Sequence, residues 1–375
     1  MLTRSEKAMK AASTILIVLG MGYFAAAPIL AAPASIATTT RKVVLEKVES
    51  GAYRWKLIEA PIPGVGDHQV LVHVRAVALN RGDLEMLDPD ERRDHSGLLV
   101  ASDAAGDVVA IGKQVQGIRK RERVTSLYFS NYVDSPPTRA KLSGAHGANV
   151  DGVLGDYIVL EDTAVAPIPP GLGYEEASTL PTAGLTAWMA TAGQREIHRG
   201  DVVLVQGTGG VSVFAMQFAA ALGARVIVTS SSDDKLRRAL ALGAHDGINY
   251  KSTPAWADRV HELTDDHGAD VIVDVGGKDT LEQSTKCLAY SGTLSIVGGL
   301  SGYGGSIPSL GLLSKAARAQ GVFVGSRADY LRMIAFIVKH HLRPVIDRTF
   351  TLEQYDDALR DMVSGGFVGK IVIRL

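Results

Sequence analysis

Four consecutive residues, Gly207-Thr208-Gly209-Gly210, stand where a polypeptide can grip a diphosphate. They follow a short β-branched run, Val202 to Val205, and precede a helical stretch from Val211 to Leu222. Gly207 permits a tight turn, and Gly209 and Gly210 remove side chains so that backbone can approach an anion. A helix beginning at Val211 offers N–H groups without intrahelical acceptors and the positive end of its dipole. Ser212 takes the third small-residue position, which needs only close packing of helix on strand.

The next strand, Arg225 to Val228, ends in Thr229-Ser230-Ser231-Ser232. A carboxylate at such a strand end accepts from adenosine ribose hydroxyls and favours NADH, whereas a 2′-phosphate needs donors and cations. Here Ser230, Ser231 and Lys235 supply donors and a charge, which points to NADPH over NADH. Asp233 and Asp234 read as helix N-cap and first-turn residues.

These residues need elements to hold them. From Tyr174 onward, buried β-branched runs alternate with helical segments. The runs are Val202–Val205, Arg225–Val228, Val271–Asp274 and Thr293–Val297; the helices are Val211–Leu222, Asp234–Leu242 and Ala255–Asp265. That alternation predicts an α/β, doubly wound parallel sheet with helices on both faces. Before Pro167 the pattern is β-rich, with strands expected at Arg41–Lys47, Val70–Val77, Asp107–Gly112, Arg123–Leu127 and Gly155–Leu160. Ser130 to Gly152 reads as a long surface loop. A tail from Asp329 carries two helices and a final strand, Lys370–Ile373.

Composition narrows the function. Among 375 residues, 46% are hydrophobic and 21% charged, with net charge −1, so no basic excess points to nucleic acid. Cys287 is the one cysteine, which excludes an intramolecular disulfide and a multi-cysteine zinc site. It falls in an apparently helical stretch, Thr280 to Ala289, and reads as a structural thiol. Residues 1–34 carry Arg4, Lys7 and Lys10, an apolar core from Ile15 to Ala27, and Ala32-Pro33-Ala34 as a cleavage site. This is the pattern of a signal peptide, with a membrane anchor as the alternative. The chain is then exported or membrane-tethered, or cytoplasmic if the start site is misassigned.

Taken together, these segments resemble the medium-chain dehydrogenase/reductase superfamily, in its zinc-independent quinone-oxidoreductase-like and enoyl-reductase-like branch. The resemblance runs from Arg41 to Leu375 through Asn80-Arg81-Gly82-Asp83, Ser102-Asp103-Ala104-Ala105-Gly106 and Leu180-Pro181-Thr182-Ala183-Gly184. It continues through the Gly207 turn, Ile248-Asn249-Tyr250, Val297-Gly298-Gly299, Val324-Gly325-Ser326-Arg327 and Gly369-Lys370-Ile371. It implies a GroES-like catalytic domain (35–170), a Rossmann domain binding NADP (171–328) and a returning catalytic tail (329–375). Cofactor positions implied by it include Tyr250, Gly298, Val324, Gly325 and Lys370. The zinc ligands of metal-dependent relatives fall at Asn80, Ser102 and about Ala183, none a strong ligand, so no zinc is expected. Catalytic positions are Asn80, as a donor to a carbonyl oxygen, Asp83, and Thr182, with Thr186 also near the nicotinamide.

The expected activity is zinc-independent hydride transfer from NADPH to a quinone, enone or aldehyde-type carbonyl. An alcohol or aldehyde dehydrogenase, and a non-catalytic dinucleotide-binding redox sensor, are the alternatives. Tyr53 and Tyr128 are candidate proton donors. Relatives imply a homodimer, formed through a sheet-edge strand expected at Gly321–Gly325.

Overall fold

Alternating apolar residues set the first layer. In the computed structural model, β1 (Thr39–Lys47) pairs antiparallel with β2 (Tyr53–Pro61), and the pair buries Val43, Leu45, Tyr53 and Trp55. The structure describes residues 38–89, 93–193 and 195–375, so the expected targeting segment lies outside it. β3 (Gln69–Ala78) is the spine of the first lobe, with seven of its ten residues buried among Val, Leu and Ala neighbours. It leads into the short helix α1 (Arg81–Glu85) and pairs with β4 (Asp103–Ile111). β5 (Arg123–Ser126), β6 (Tyr157–Glu161) and β7 (Val165–Pro167) complete the chain's first pass. The long stretch from Ser130 to Gly152 carries no strand or helix, as its Gly, Pro and Ser content predicts.

Two short helices, α2 (Tyr174–Ser178) and α3 (Leu185–Ala190), flank a π-helical turn at Leu180–Gly184. The second lobe then runs β8 (Val202–Gln206), α4 (Gly210–Ala221), β9 (Arg225–Ser230), α5 (Asp233–Ala241) and β10 (Asp246–Asn249). It continues with α6 (Trp256–Leu263), β11 (Ala269–Asp274), α7 (Leu281–Lys286), β12 (Leu288–Ile296), α8 (Ser309–Leu313) and β13 (Arg318–Gly321). All six strands are parallel, in the order β10-β9-β8-β11-β12-β13. β8 is wholly buried because helices cover both faces. The order reverses between β8 and β11, and a crevice opens there at the strands' carboxyl ends, where α/β sheets bind ligands.

After α9 (Arg327–Lys339) the chain returns to the first lobe. β14 (Ile346–Thr351) and β15 (Lys370–Arg374) join its seven-stranded sheet through β15 against β3, with α10 (Tyr355–Ser364) between them. Lys370 therefore emerges at the junction of the two lobes.

Three local expectations are corrected. The helix before Cys287 closes at Lys286, and Leu288 already begins β12; Cys287 is fully buried and burial pushes its thiol up to about 12. The edge strand is Arg318–Gly321, because Val324 has φ +55 and cannot continue an extended ladder. The N-cap of α5 is Ser232, whose hydroxyl accepts from the Lys235 N–H, and Asp233 and Asp234 fill the first turn.

Candidate active site

The glycine turn has the geometry of an anion cradle. Gly207 sits at φ +72, with its N–H bonded to Thr229 O at 2.8 Å. Ser212 Oγ donates to Gln206 O at 2.7 Å, tying the start of α4 to the end of β8. The first-turn N–H groups of Gly210, Val211 and Ser212 have no intrahelical acceptors. A Cβ built on Gly209 meets nothing within 4 Å, so its face is open to the cleft. One on Gly210 would strike the Lys370 side chain at 2.5 Å and Ala183 at 3.2 Å. The tail closes the turn from behind, through Gly369 N–H to Thr208 O at 2.9 Å.

The cleft encloses about 490 Å³ and runs between the lobes. Gly207, Thr208, Gly209, Gly210 and Val211 line its middle. Ser230, Ser231, Lys235 and Tyr250 line one end. Ser230 is buried at the tip of β9, and Tyr250 N–H bonds to its carbonyl at 3.0 Å. Lys235 Nζ donates to Gly365 O at 2.7 Å. Burial, and then the nearby Lys251 charge, hold the Lys235 ammonium below the ordinary lysine range. Lys235 and two serine hydroxyls therefore line one end of a cleft whose middle is the glycine turn, with the Lys251 charge close enough to act on Lys235. Lys251 went unnoticed in the sequence, although it directly follows Tyr250.

The opposite end is lined by Thr182, Thr186, Val275, Gly298, Val322 and Val324. Val324 is a β-branched residue in left-handed backbone, a conformation costing about 1–2 kcal/mol that persists only where surroundings impose it. Gly325, expected at the cofactor, is not in the cleft. Its missing side chain makes room for Leu185 and Met189, which a Cβ would meet at 3.0 Å.

Below this end lies a buried polar network. Asp103 is fully buried and accepts three hydrogen bonds: from Ser102 Oγ (2.9 Å), Thr182 N (3.0 Å) and Thr182 Oγ1 (2.5 Å). Asn80 Nδ2 donates to Ser102 Oγ at 3.2 Å, and Lys370 Nζ donates to Asn80 Oδ1 at 2.6 Å and to Leu79 O. Asp83 Oδ2 accepts from Asn80 N–H at 2.7 Å, so Asp83 also closes the first turn of α1. Burial raises the Asp83 carboxyl to about 7; the Asn80 N–H opposes this, the Asp103 charge adds to it and Lys370 opposes it. Burial lowers the Lys370 ammonium, with Asp103 and Asp83 acting the other way. Asp103, quoted in sequence only as part of a motif, is the anchor of the network.

The two candidate tyrosines separate. Tyr53 is buried away from the cleft, donating to Asp94 Oδ1 at 3.2 Å and accepting from His95 N–H at 3.0 Å. Tyr128 lines the cleft, its ring held edge-on against Phe129 and Phe323. Among the described residues its hydroxyl makes no hydrogen bond, and burial raises it to about 12, with Asp83, Asp103, Glu85 and Tyr303 adding repulsion. At the mouth, Tyr303 donates to Glu85 Oε1 at 3.3 Å. His146 also lines the cleft, but its Nδ1 is held by Asp151 O at 2.8 Å.

Comparison with known proteins agrees with this layout. Residues 66–170 match the alcohol dehydrogenase GroES-like domain, and residues 210–339 match the zinc-binding dehydrogenase family. A zinc-type alcohol dehydrogenase-like protein of Schizosaccharomyces pombe is 38% identical over 346 residues, covering 89% of this chain and 99% of that relative. The chain belongs to the medium-chain dehydrogenase/reductase superfamily. As a member of that superfamily it is an NAD(P)-dependent oxidoreductase with a GroES-like domain and a Rossmann sheet. A quinone oxidoreductase of Pseudomonas aeruginosa is 32% identical over 259 residues, covering 67% of this chain and 70% of that protein. A solved NAD-dependent alcohol dehydrogenase superposes with a TM-score of 0.78 at 30% identity, covering 89% of this chain and 99% of its own.

Proposed function

We propose that this medium-chain reductase is zinc-independent and transfers hydride from NADPH to a carbonyl-activated acceptor: a quinone, an enone or an aldehyde. The observation that carries the reading is the cleft itself. A glycine turn suited to a diphosphate, Lys235 with two serines at one end and the Asn80 amide beside the other lie along one channel. When bound, the cofactor supplies hydride from nicotinamide C4. The chain's residues do the rest.

Val211 and its neighbours in the first turn of α4 hold the diphosphate, while Ser230, Ser231, Lys235 and Lys251 receive the 2′-phosphate. Asn80 donates from its amide to the acceptor oxygen as charge develops there. Tyr128, protonated throughout the neutral range, supplies the proton. Thr182, held by Asp103 through both its N–H and its hydroxyl, supports the nicotinamide end.

The donor set does not fit a zinc ion. Asn80 Oδ1 already accepts from an ammonium, Ser102 commits its proton to Asp103, and Ala183 has no ligating atom. No group of three or more His, Cys, Asp or Glu able to hold a metal occurs among the described residues. The relatives' names support a second reading, oxidation of an alcohol. A screen of NADPH oxidation with 1,4-benzoquinone, trans-2-hexenal and benzaldehyde tests the proposal; turnover only in the alcohol direction would refute it.

Two assignments complete the proposal. A homodimer would pair the β13 edges, a reading supported by the exposed Tyr290, Leu310 and Leu313 on the same sheet end. Residues 1–34 would export or tether the protein, which amino-terminal sequencing of the mature chain tests; among the described residues no helix is long and apolar enough to cross a membrane.

A further inference from the structure

An asparagine amide is nearly symmetric in shape, so packing alone does not decide which end faces a ligand. At Asn80 the decision is made by a chain of directed hydrogen bonds. Lys370 has only donors, so Asn80 must turn Oδ1 toward it, at 2.6 Å. Nδ2 is then forced to the other side, where it donates to Ser102 Oγ at 3.2 Å. Ser102 can accept there because its own proton goes to Asp103 Oδ1, at 2.9 Å. Asp103 in turn is pinned by Thr182 N–H and Oγ1. The sequence runs from a buried cation to a buried carboxylate, each group donating to the next. A flipped amide would set N–H against ammonium and break both contacts.

One N–H of Asn80 Nδ2 is left without a partner among the described residues, and Asn80 lines the cleft. We infer that Lys370 is a positioning residue: through Asn80 Oδ1 it locks the amide so that its spare N–H presents a donor to the acceptor's oxygen. This rests on the carbonyl-reductase reading above and deepens it. A locked donor is placed to meet the acceptor oxygen of a ketone, enone or quinone. It also separates Lys370 from a role in gripping the diphosphate. Lys370 seals Gly210 with its carbon stem, while two of its three Nζ donors go to Leu79 O and Asn80 Oδ1.

A double-mutant cycle on the full-length protein tests this, using Lys370→Met, Asn80→Ala and their combination. Two quantities are read: NADPH-dependent turnover of trans-2-hexenal, and the Kd of benzamide, an unreactive carbonyl, for the NADP complex. Loss of a preorganised donor costs about 10²–10³ in turnover. Asn80→Ala should fall in that range, and Lys370→Met should lose at least about tenfold while keeping NADPH affinity within about threefold. The combined variant should be no worse than Asn80→Ala alone, in turnover and in benzamide binding, because both changes remove one device. Lys370→Arg should restore most of the loss. Independent, multiplying losses would overturn the inference. So would a Lys370→Met protein that loses NADPH affinity tenfold yet keeps its turnover number. Should Lys370→Met fail to fold, the same cycle with Lys370→Gln decides. A wild type that binds benzamide and reduces nothing refutes the proposed reaction, with the benzamide cycle still judging Lys370; absence of benzamide binding overturns the inference.

Discussion

Replacing Gly209 by alanine should separate cofactor binding from folding. Its backbone, φ −74 and ψ −175, is open to any L-residue, and a Cβ there meets nothing within 4 Å. Alanine at an unstrained glycine site stabilises by about 0.4–1 kcal/mol through the unfolded chain. Gly209 is also the N-cap of α4, where alanine is poorer by a similar amount. The two terms nearly cancel, so the unfolding midpoint without nucleotide should hold within a few degrees. The new methyl projects into the space where a diphosphate must approach the first turn of α4. A hydrogen bond to a charged group contributes about 1.5–3 kcal/mol, so losing one raises Kd about 10- to 150-fold. Gly209→Asp sharpens the contrast. Aspartate caps a helix well, yet a unit charge about 5 Å from a phosphate at an effective dielectric of about 20 costs roughly 3 kcal/mol more. That variant should be at least as stable as the parent and nearly blind to NADPH. Isothermal titration and thermal unfolding on the same preparations give both numbers. A folded Gly209→Asp protein with undiminished NADPH affinity would refute the diphosphate assignment.

Other consequences follow from the same geometry. Removing both Lys235 and Lys251 as alanines should raise the NADPH Kd about tenfold or more and leave that for NADH nearly unchanged; equal loss for both cofactors would move the 2′-phosphate elsewhere. Tyr128→Phe should lower turnover about 10- to 100-fold without weakening NADPH binding, and unchanged turnover would remove Tyr128 as proton donor. Asp83 is raised by burial to about 7 in the folded protein, so the folded state holds a proton that the unfolded chain releases near pH 4. Its contribution to stability is full below about pH 4 and lost as pH rises through about 7. Asp83→Asn cannot ionise, so its urea midpoint should fall less than the parent's between pH 4 and 8; parallel curves would contradict this.

Much of the architecture was readable because parallel strands buried on both faces leave unbroken β-branched runs, as Val202–Val205 and Val271–Asp274 do. The glycine turn was readable because Gly207, Gly209 and Gly210 serve local backbone needs. What escaped were features made by distant segments. β10 buries only Ile248 of its four residues, too little for a periodic signal. β2 alternates plainly, but its place is set by pairing with β1. The edge strand was misplaced because Val322, Phe323 and Val324 are all strand-favouring residues, while the backbone turns left-handed at Val324. At the site, Asp103 and Lys370 lie 267 positions apart in sequence and meet only because β15 returns to pair with β3. No local pattern announces such a meeting, so Lys370 read as a cofactor cation and its ammonium proved to face Asn80.

The most direct test is calorimetric titration of the full-length wild-type protein with NADPH and with NADH under one salt condition. One NADPH per chain should bind, at least about tenfold more tightly than NADH, with affinity falling as salt rises. Heat from neither nucleotide, or a clear preference for NADH, would contradict the cleft assignment on which the proposed reaction stands.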